Sequence, residues 1–238
     1  MDASYKLSER KYLDPVSRSV LYGFTGKVSK STGLIFEATL PGAAVGSICR
    51  LEIAPNIKPV LAEVIGFKGN SVLLMPLEEV HGINSQSRVT LISKQASMRI
   101  SEELLGRVLD GAGNPMDRKP MPTDGVEMPL YSPPVNPLER EPIKDSLDLG
   151  VRALNGLITC GSGQRMGIMA GSGVGKSVLL GMIARYTKAD VNVIALVGER
   201  GREVREFLER DLGPEGLARS VVIVATSDRS PPSAAAKH

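Results

Sequence analysis

The stretch Ala170-Gly171-Ser172-Gly173-Val174-Gly175-Lys176-Ser177 constrains this chain more than any other. Three glycines let backbone N–H groups turn inward around an anion with no Cβ in the way. The apolar run Arg165-Met166-Gly167-Ile168-Met169-Ala170 precedes it and reads as a buried strand. After it, Leu179, Met182, Ile183 and Tyr186 fall at i, i+3, i+4, i+7, the spacing of one apolar helix stripe. Strand, glycine-rich loop and helix in this order form a P-loop, whose helix aims its positive end at phosphate. In that reading Gly171, Ser172, Gly173, Val174, Gly175, Lys176, Ser177 and Val178 bind nucleotide. Lys176 places its charge on the β- and γ-phosphates of ATP, and the Ser177 hydroxyl faces Mg²⁺. The usual pattern opens with glycine, and this chain has Ala170 there.

Downstream the α/β texture continues. Val191 to Val197 is an unbroken apolar run, as expected of a strand covered on both faces. Arg202 to Leu212 reads as a helix with Val204, Phe207, Leu208 and Leu212 inward, a Glu206–Arg210 pair outside, and Gly213-Pro214 as its end. Val221 to Ala225 is a further strand, and alternation of this kind makes a parallel sheet. Strand C-termini in such sheets face the ligand crevice, which brings Gly198-Glu199-Arg200-Gly201-Arg202-Glu203 toward the P-loop. There Glu199 is placed to polarise an attacking water, and Arg200 to fix the glutamate or contact phosphate. Lys176, Glu199 and Arg200 are the candidate catalytic set.

Upstream the texture is different. Short apolar runs at 34–36, 48–53, 60–65, 72–75 and 89–92 are separated by turn chemistry at Ser31-Thr32-Gly33, Pro41-Gly42 and Lys68-Gly69-Asn70. Five or six strands at this spacing predict a small barrel or sandwich over 19–95. Its aromatics, Tyr22, Phe24, Phe36 and Phe67, are not interleaved with basic residues, so a specific nucleic-acid face is not expected. Eight of the 16 prolines lie between Pro115 and Pro142. Proline fixes φ and removes a donor, so 96–149 reads as an extended crossover into a core at 150–228. Residues 1–18 are a terminal or partner-binding segment, and 229–238 an irregular tail. Cys49 and Cys160 have no metal-ligand spacing, and no apolar run approaches the ~20 residues a membrane helix needs. A cytoplasmic protein, at most peripherally attached to a membrane, is expected.

These motifs resemble the rotary-ATPase family, and most closely its flagellar and type III protein-export branch. The resemblance is carried by Pro133 to Arg140, Gly150 to Leu157, the P-loop, and Asn192 to Val204; Leu157 to Arg165 and Glu209 to Ser220 favour the export branch over ATP synthase. It implies a RecA-like α/β core preceded by an all-β barrel, a homo-hexameric ring, and ATP hydrolysis with Mg²⁺ that energises protein export. It also implies a stator-like regulatory partner for residues 1–18. The family pattern runs well beyond residue 230, so the core is expected to be incomplete, with one strand face and edge uncovered. A fragment or a frameshifted gene product would each read this way, the tail favouring the second. Either is expected to turn over ATP poorly and to be a weak candidate for ring assembly. Two other readings stay open: an RNA-translocating hexameric helicase, and a stub that binds nucleotide or a partner without turnover.

Overall fold

The computed structural model describes residues 23–54, 57–78, 80–171 and 173–227. The segment 1–18, Ser172, Asp228 and the tail 229–238 lie outside the described residues.

Six strands close into a barrel in the order β1-β2-β5-β4-β3-β6. They are β1 (Thr25–Thr32), β2 (Ile35–Thr39), β3 (Ile48–Glu52), β4 (Val60–Lys68), β5 (Ser71–Pro76) and β6 (Arg88–Ser93). Alternate residues point inward, as the two-residue repeat of a strand requires. Val28, Phe36, Ala38, Cys49, Leu51, Ala62, Val64, Val72, Leu74 and Val89 thereby form one core. Lys68 and Ser71 face each other across a two-residue turn in which Gly69 has φ 59°, a conformation costly for other residues. Full closure removes the exposed sheet edges that invite aggregation.

β1 escaped the apolar-run reading because Val28 is its one buried residue. It nevertheless closes the barrel by pairing with both β2 and β6. Gly26 makes that closure possible, because a Cβ there would overlap the Thr39 carbonyl. Gly26→Ala is therefore expected to destabilise the barrel by about 1–3 kcal/mol, as overpacking does. Urea unfolding followed by circular dichroism checks this, and an unchanged midpoint would refute the closure argument.

Beyond the barrel, β7 (Ser97–Ile100) pairs antiparallel with β9 (Val126–Pro129). Between them in sequence lies β8 (Val108–Asp110), which joins the core sheet. The stretch read as crossover thus contributes a core strand. Three residues are too few to show a period, so sequence alone missed it. The helices are α1 (Arg152–Leu157), α2 (Lys176–Tyr186), α3 (Gly201–Glu206), a π-helical turn (Phe207–Leu212) and α4 (Gly213–Ala218). The remaining strands are β10 (Asn192–Val197) and β11 (Ser220–Ala225), and the all-parallel sheet has the order β10-β11-β8. Ala184, Ile194, Leu196, Val204, Phe207, Leu212, Val222 and Val224 form its core. The architecture is a RecA-like α/β core, incomplete in its sheet, preceded by the closed barrel.

Four expectations need correction. Arg165–Ala170 is not a buried strand: it forms no ladder among the described residues, and Met169 is 96% exposed. A strand exists only with a partner, and the sheet offers it none. β10 is covered on one face, not two; Ile194 and Leu196 are buried while Val193 is 71% exposed. Its outer edge has no partner among the described residues, as the reading of an uncovered face and edge anticipated. The buried positions of α2 are Gly181 and Ala184, whereas Tyr186 of the predicted stripe is exposed. Small residues there admit a close backbone approach, leaving the bulkier stripe at the rim. Finally, the second helix is α-helical only to Glu206 and π-helical over Phe207–Leu212; it ends at Gly213-Pro214 as expected, and α4 follows at once. Gly213 takes φ 65° after the π turn, and Pro214 sits in the first turn of α4, where its missing N–H costs nothing. Val204, Phe207 and Leu212 are buried and Leu208 packs against them, and Arg210 pairs with Glu206 at 2.5 Å as expected.

Candidate functional site

Gly173 and Gly175 adopt φ 78° and 94°, so the loop turns left-handed twice before α2 begins. Side chains disfavour that region, which is the local reason for glycine at both positions. Gly175 caps α2 without any side-chain hydrogen bond. The first N–H groups of an eleven-residue helix are thus left for a ligand. A Cβ at Gly171, Gly173 or Gly175 would meet nothing within 4 Å. The space beside the loop is open rather than filled by protein, and N–H groups around open space suit an anion.

Lys176, Ser177 and Glu199 line one cleft of about 300 Å³, with Met166, Ile168, Leu180, Leu196, Glu203, Val204 and Phe207. Polar groups come from the N-terminal end of α2 and from the segment leaving β10, so they share one end. The apolar side chains of the remainder suit carbon, not phosphate. The anion site is accordingly the loop and helix end, beside the cleft rather than deep in it. Lys176 has no ion-pair partner among the described residues, which leaves its ammonium available. Val174 and Val178 are exposed, at 67% and 42%, and offer only their backbone to a ligand.

Glu199 is placed by the strand end it follows. Gly198 N–H donates to the Ala225 carbonyl at 2.8 Å, and the Glu199 carbonyl accepts from Ser227 N–H at 3.0 Å. Gly198 takes φ 75° at this turn. Arg200 departs from expectation: its guanidinium pairs with Glu203 at 3.5 Å and does not line the cleft. The spacing of three along α3 brings that pair together. Glu203 is the cleft residue that the sequence reading quoted without assigning a role; its position one turn into α3 was the available signal.

The donor set fits a nucleotide polyphosphate with a magnesium ion. Backbone N–H groups and Lys176 would suit the phosphates, and the Ser177 hydroxyl would be available to a bound Mg²⁺. Among the described residues there is no group of three or more His, Cys, Asp or Glu able to hold a metal alone. Magnesium commonly relies on substrate phosphates for much of its coordination, to which the Ser177 hydroxyl would add a ligand. No helix of the described residues is long and apolar enough to cross a membrane.

Comparison with known proteins adds to this geometry. Residues 150–237 match the ATP synthase alpha/beta family, nucleotide-binding domain, and residues 28–91 match the beta-barrel domain of the same family. The flagellum-specific ATP synthase of Salmonella typhimurium is 52% identical over 215 residues, covering 87% of this chain and 47% of that protein. Its counterpart in Bacillus subtilis is 44% identical over 224 residues, covering 94% and 51%. Among solved structures, the assembled ATPase EscN in complex with its central stalk EscO, from the type III secretion system of enteropathogenic E. coli, matches with a TM-score of 0.77. The identity there is 45%, over 86% of this chain and 49% of that one. The chain spans about half the length of these relatives.

Proposed function

Because this chain belongs to the ATP synthase alpha/beta family, its barrel and its nucleotide-binding stretch both matching that family, we propose that it carries the phosphate-binding half of an ATPase that energises flagellar or type III protein export. One observation carries the reading: Lys176 and Ser177, which directly follow the left-handed glycines of the loop, line one cleft with Glu199. Gly171, Ser172, Gly173 and Gly175, with Val174 and Val178 through their backbone, cradle the phosphates. Lys176 neutralises them, Ser177 holds Mg²⁺, and Glu199 orients the attacking water. A bound Mg²⁺ supplies charge neutralisation to the transferring phosphoryl group. Arg200 acts by holding Glu203 in this conformation, and its contact with phosphate requires that pair to open.

The named relatives are flagellum-specific ATP synthases and the ATPase EscN of a type III secretion system, which supports this reading over the RNA-translocating one. EscN, assembled with its central stalk EscO, supports an oligomeric assembly, here proposed as a homo-hexameric ring, and a stalk- or stator-like partner for the whole protein. Phosphoryl transfer depends on several charged groups acting together. The cleft presents Lys176, Ser177 and Glu199, so this stretch by itself is expected to bind MgATP and release phosphate well below ~1 s⁻¹, the lower end for working phosphoryl-transfer enzymes. Titration with a fluorescent ATP analogue, with phosphate release read in parallel, tests both. Absence of saturable binding competed by ATP would sink the reading. Release near 1 s⁻¹ that a Glu199→Ala change abolishes would show the stretch to be sufficient.

A further inference from the structure

Glycine is a poor helix former, yet Gly181 stands at the middle of α2 and is buried. The reason lies across its contact. A Cβ built on Gly181 would stand 2.6 Å from the carbonyl oxygen of Asp211, 2.8 Å from its carbonyl carbon and 2.9 Å from its Cβ. Asp211 belongs to the π turn and is itself buried, its carboxylate held by Arg210 Nε at 2.9 Å. The next residue, Leu212, is fully buried. Neither side of the contact has a flexible side-chain end to yield, because backbone meets backbone.

The two elements that cross there carry the two halves of the site. Five residues before Gly181, α2 begins at Lys176. The π turn continues α3, which starts two residues after Glu199 and lines the cleft with Glu203 and Val204. Interaxial distance between packed helices follows the side chains at the contact, and here one partner has none. A methyl group would have to push the elements apart by roughly an ångström to reach ordinary contact. Displacements of that size at a reacting geometry cost ~100-fold.

We infer that Gly181 is a positioning residue, whose missing side chain sets the separation between the phosphate loop at 173–177 and Glu199. This rests on the nucleotide-binding reading for its effect on affinity, and on packing alone for its effect on geometry. The contact at Gly216 provides a control. A Cβ there meets Leu212 Cδ1 at 2.7 Å and Arg185 Cγ at 2.9 Å, atoms of side chains that can move. Gly216→Ala therefore adds the same methyl from α4, beside α2 and the π turn, against side-chain atoms and not backbone.

The experiment compares the 238-residue chain with its G181A, G216A and G181A/D211G variants below the melting temperature of each. The D211G change removes the contacted Asp211 Cβ and lets that peptide turn away. Two readouts are taken: affinity for a fluorescent ATP analogue with Mg²⁺, and the amide NMR signals of Gly175, Lys176 and Glu199 without nucleotide. G181A is expected to move those signals and weaken binding at least ~10-fold. G216A should change affinity less than ~2-fold and leave the signals in place, and the double variant should recover part of the loss. Unmoved signals with wild-type affinity in G181A, or equal effects from G216A, overturn the inference. Should the unaltered chain bind no nucleotide, the functional reading falls while the amide signals still decide this one. If G181A alone does not fold, the double variant compared with D211G takes its place, and matching signals in those two overturn the inference.

Discussion

Lys176→Ala lowers the affinity of the chain for MgATP by about 10–100-fold. The ammonium is the one side-chain cation lining the cleft, and hydrogen bonds to a charged partner contribute about 1.5–3 kcal/mol each. Nothing in the fold depends on it, since Lys176 is exposed and opens α2 rather than packing into it. Stability should therefore stay within about 0.5 kcal/mol of the unaltered chain, as at other surface positions. The backbone N–H groups of the loop remain, so weak residual binding is expected. Titration of the fluorescent analogue into both proteins, with melting curves alongside, reads the two effects separately. Equal affinities would show that phosphate does not sit at this loop.

Arg107→Ala destabilises the core by about 3–5 kcal/mol, the range for removing one partner of a buried ion pair. The Arg107 side chain is 7% exposed and donates from Nε and Nη2 to Asp117, at 2.5 and 3.0 Å. It also donates to the carbonyls of Lys119 and Pro120, both at 3.0 Å. Arg107 lies at the entry to β8, where its own carbonyl accepts from Val222 N–H of β11 at 3.0 Å. The pair thus ties the proline-rich segment to the sheet that presents Glu199. Its carboxylate also sets a pH dependence. The Arg107 hydrogen bond, opposed by burial and aided by the Lys119 and Val108 N–H groups, holds Asp117 down at about 2, from an ordinary 3.8. A group depressed in the folded state contributes stability above its unfolded pKa and loses it as pH falls through the folded value. Some 2 kcal/mol is accordingly present above pH ~4 and lost toward pH ~2. Urea unfolding of both proteins between pH 7 and 2 checks this. An R107A midpoint like that of the unaltered chain at pH 7, or one that keeps the full acid dependence, would contradict the account.

Much of the candidate site's geometry was legible because it is local. Glycines at 173 and 175 encode left-handed turns whatever surrounds them, and Lys176 and Ser177 follow in fixed register. The turn after β10 was readable for the same reason, from an apolar run ending in Gly198-Glu199. Arg200 stands outside the cleft because a flexible side chain has several partners in reach, and here it pairs with Glu203, three residues along the chain.

The barrel was legible in its apolar runs and invisible in β1, whose eight residues bury only Val28. Its place is decided by β2 and β6, to which its backbone groups bond. β8 is similar: three residues acquire strand identity by pairing Val108 with Val222 and Leu109 with Ile223.

By itself the sequence determined features that depend on neighbours along the chain: the glycine-rich loop, the helix that follows it, and the turns. Only the tertiary structure decided which strands pair, that Arg165–Ala170 pairs with none among the described residues, and that α2 buries Gly181 rather than its apolar stripe. Pairing and close approach are relations between distant segments. A backbone hydrogen bond, or the empty place of a missing Cβ, leaves no periodic trace in the residues that make it.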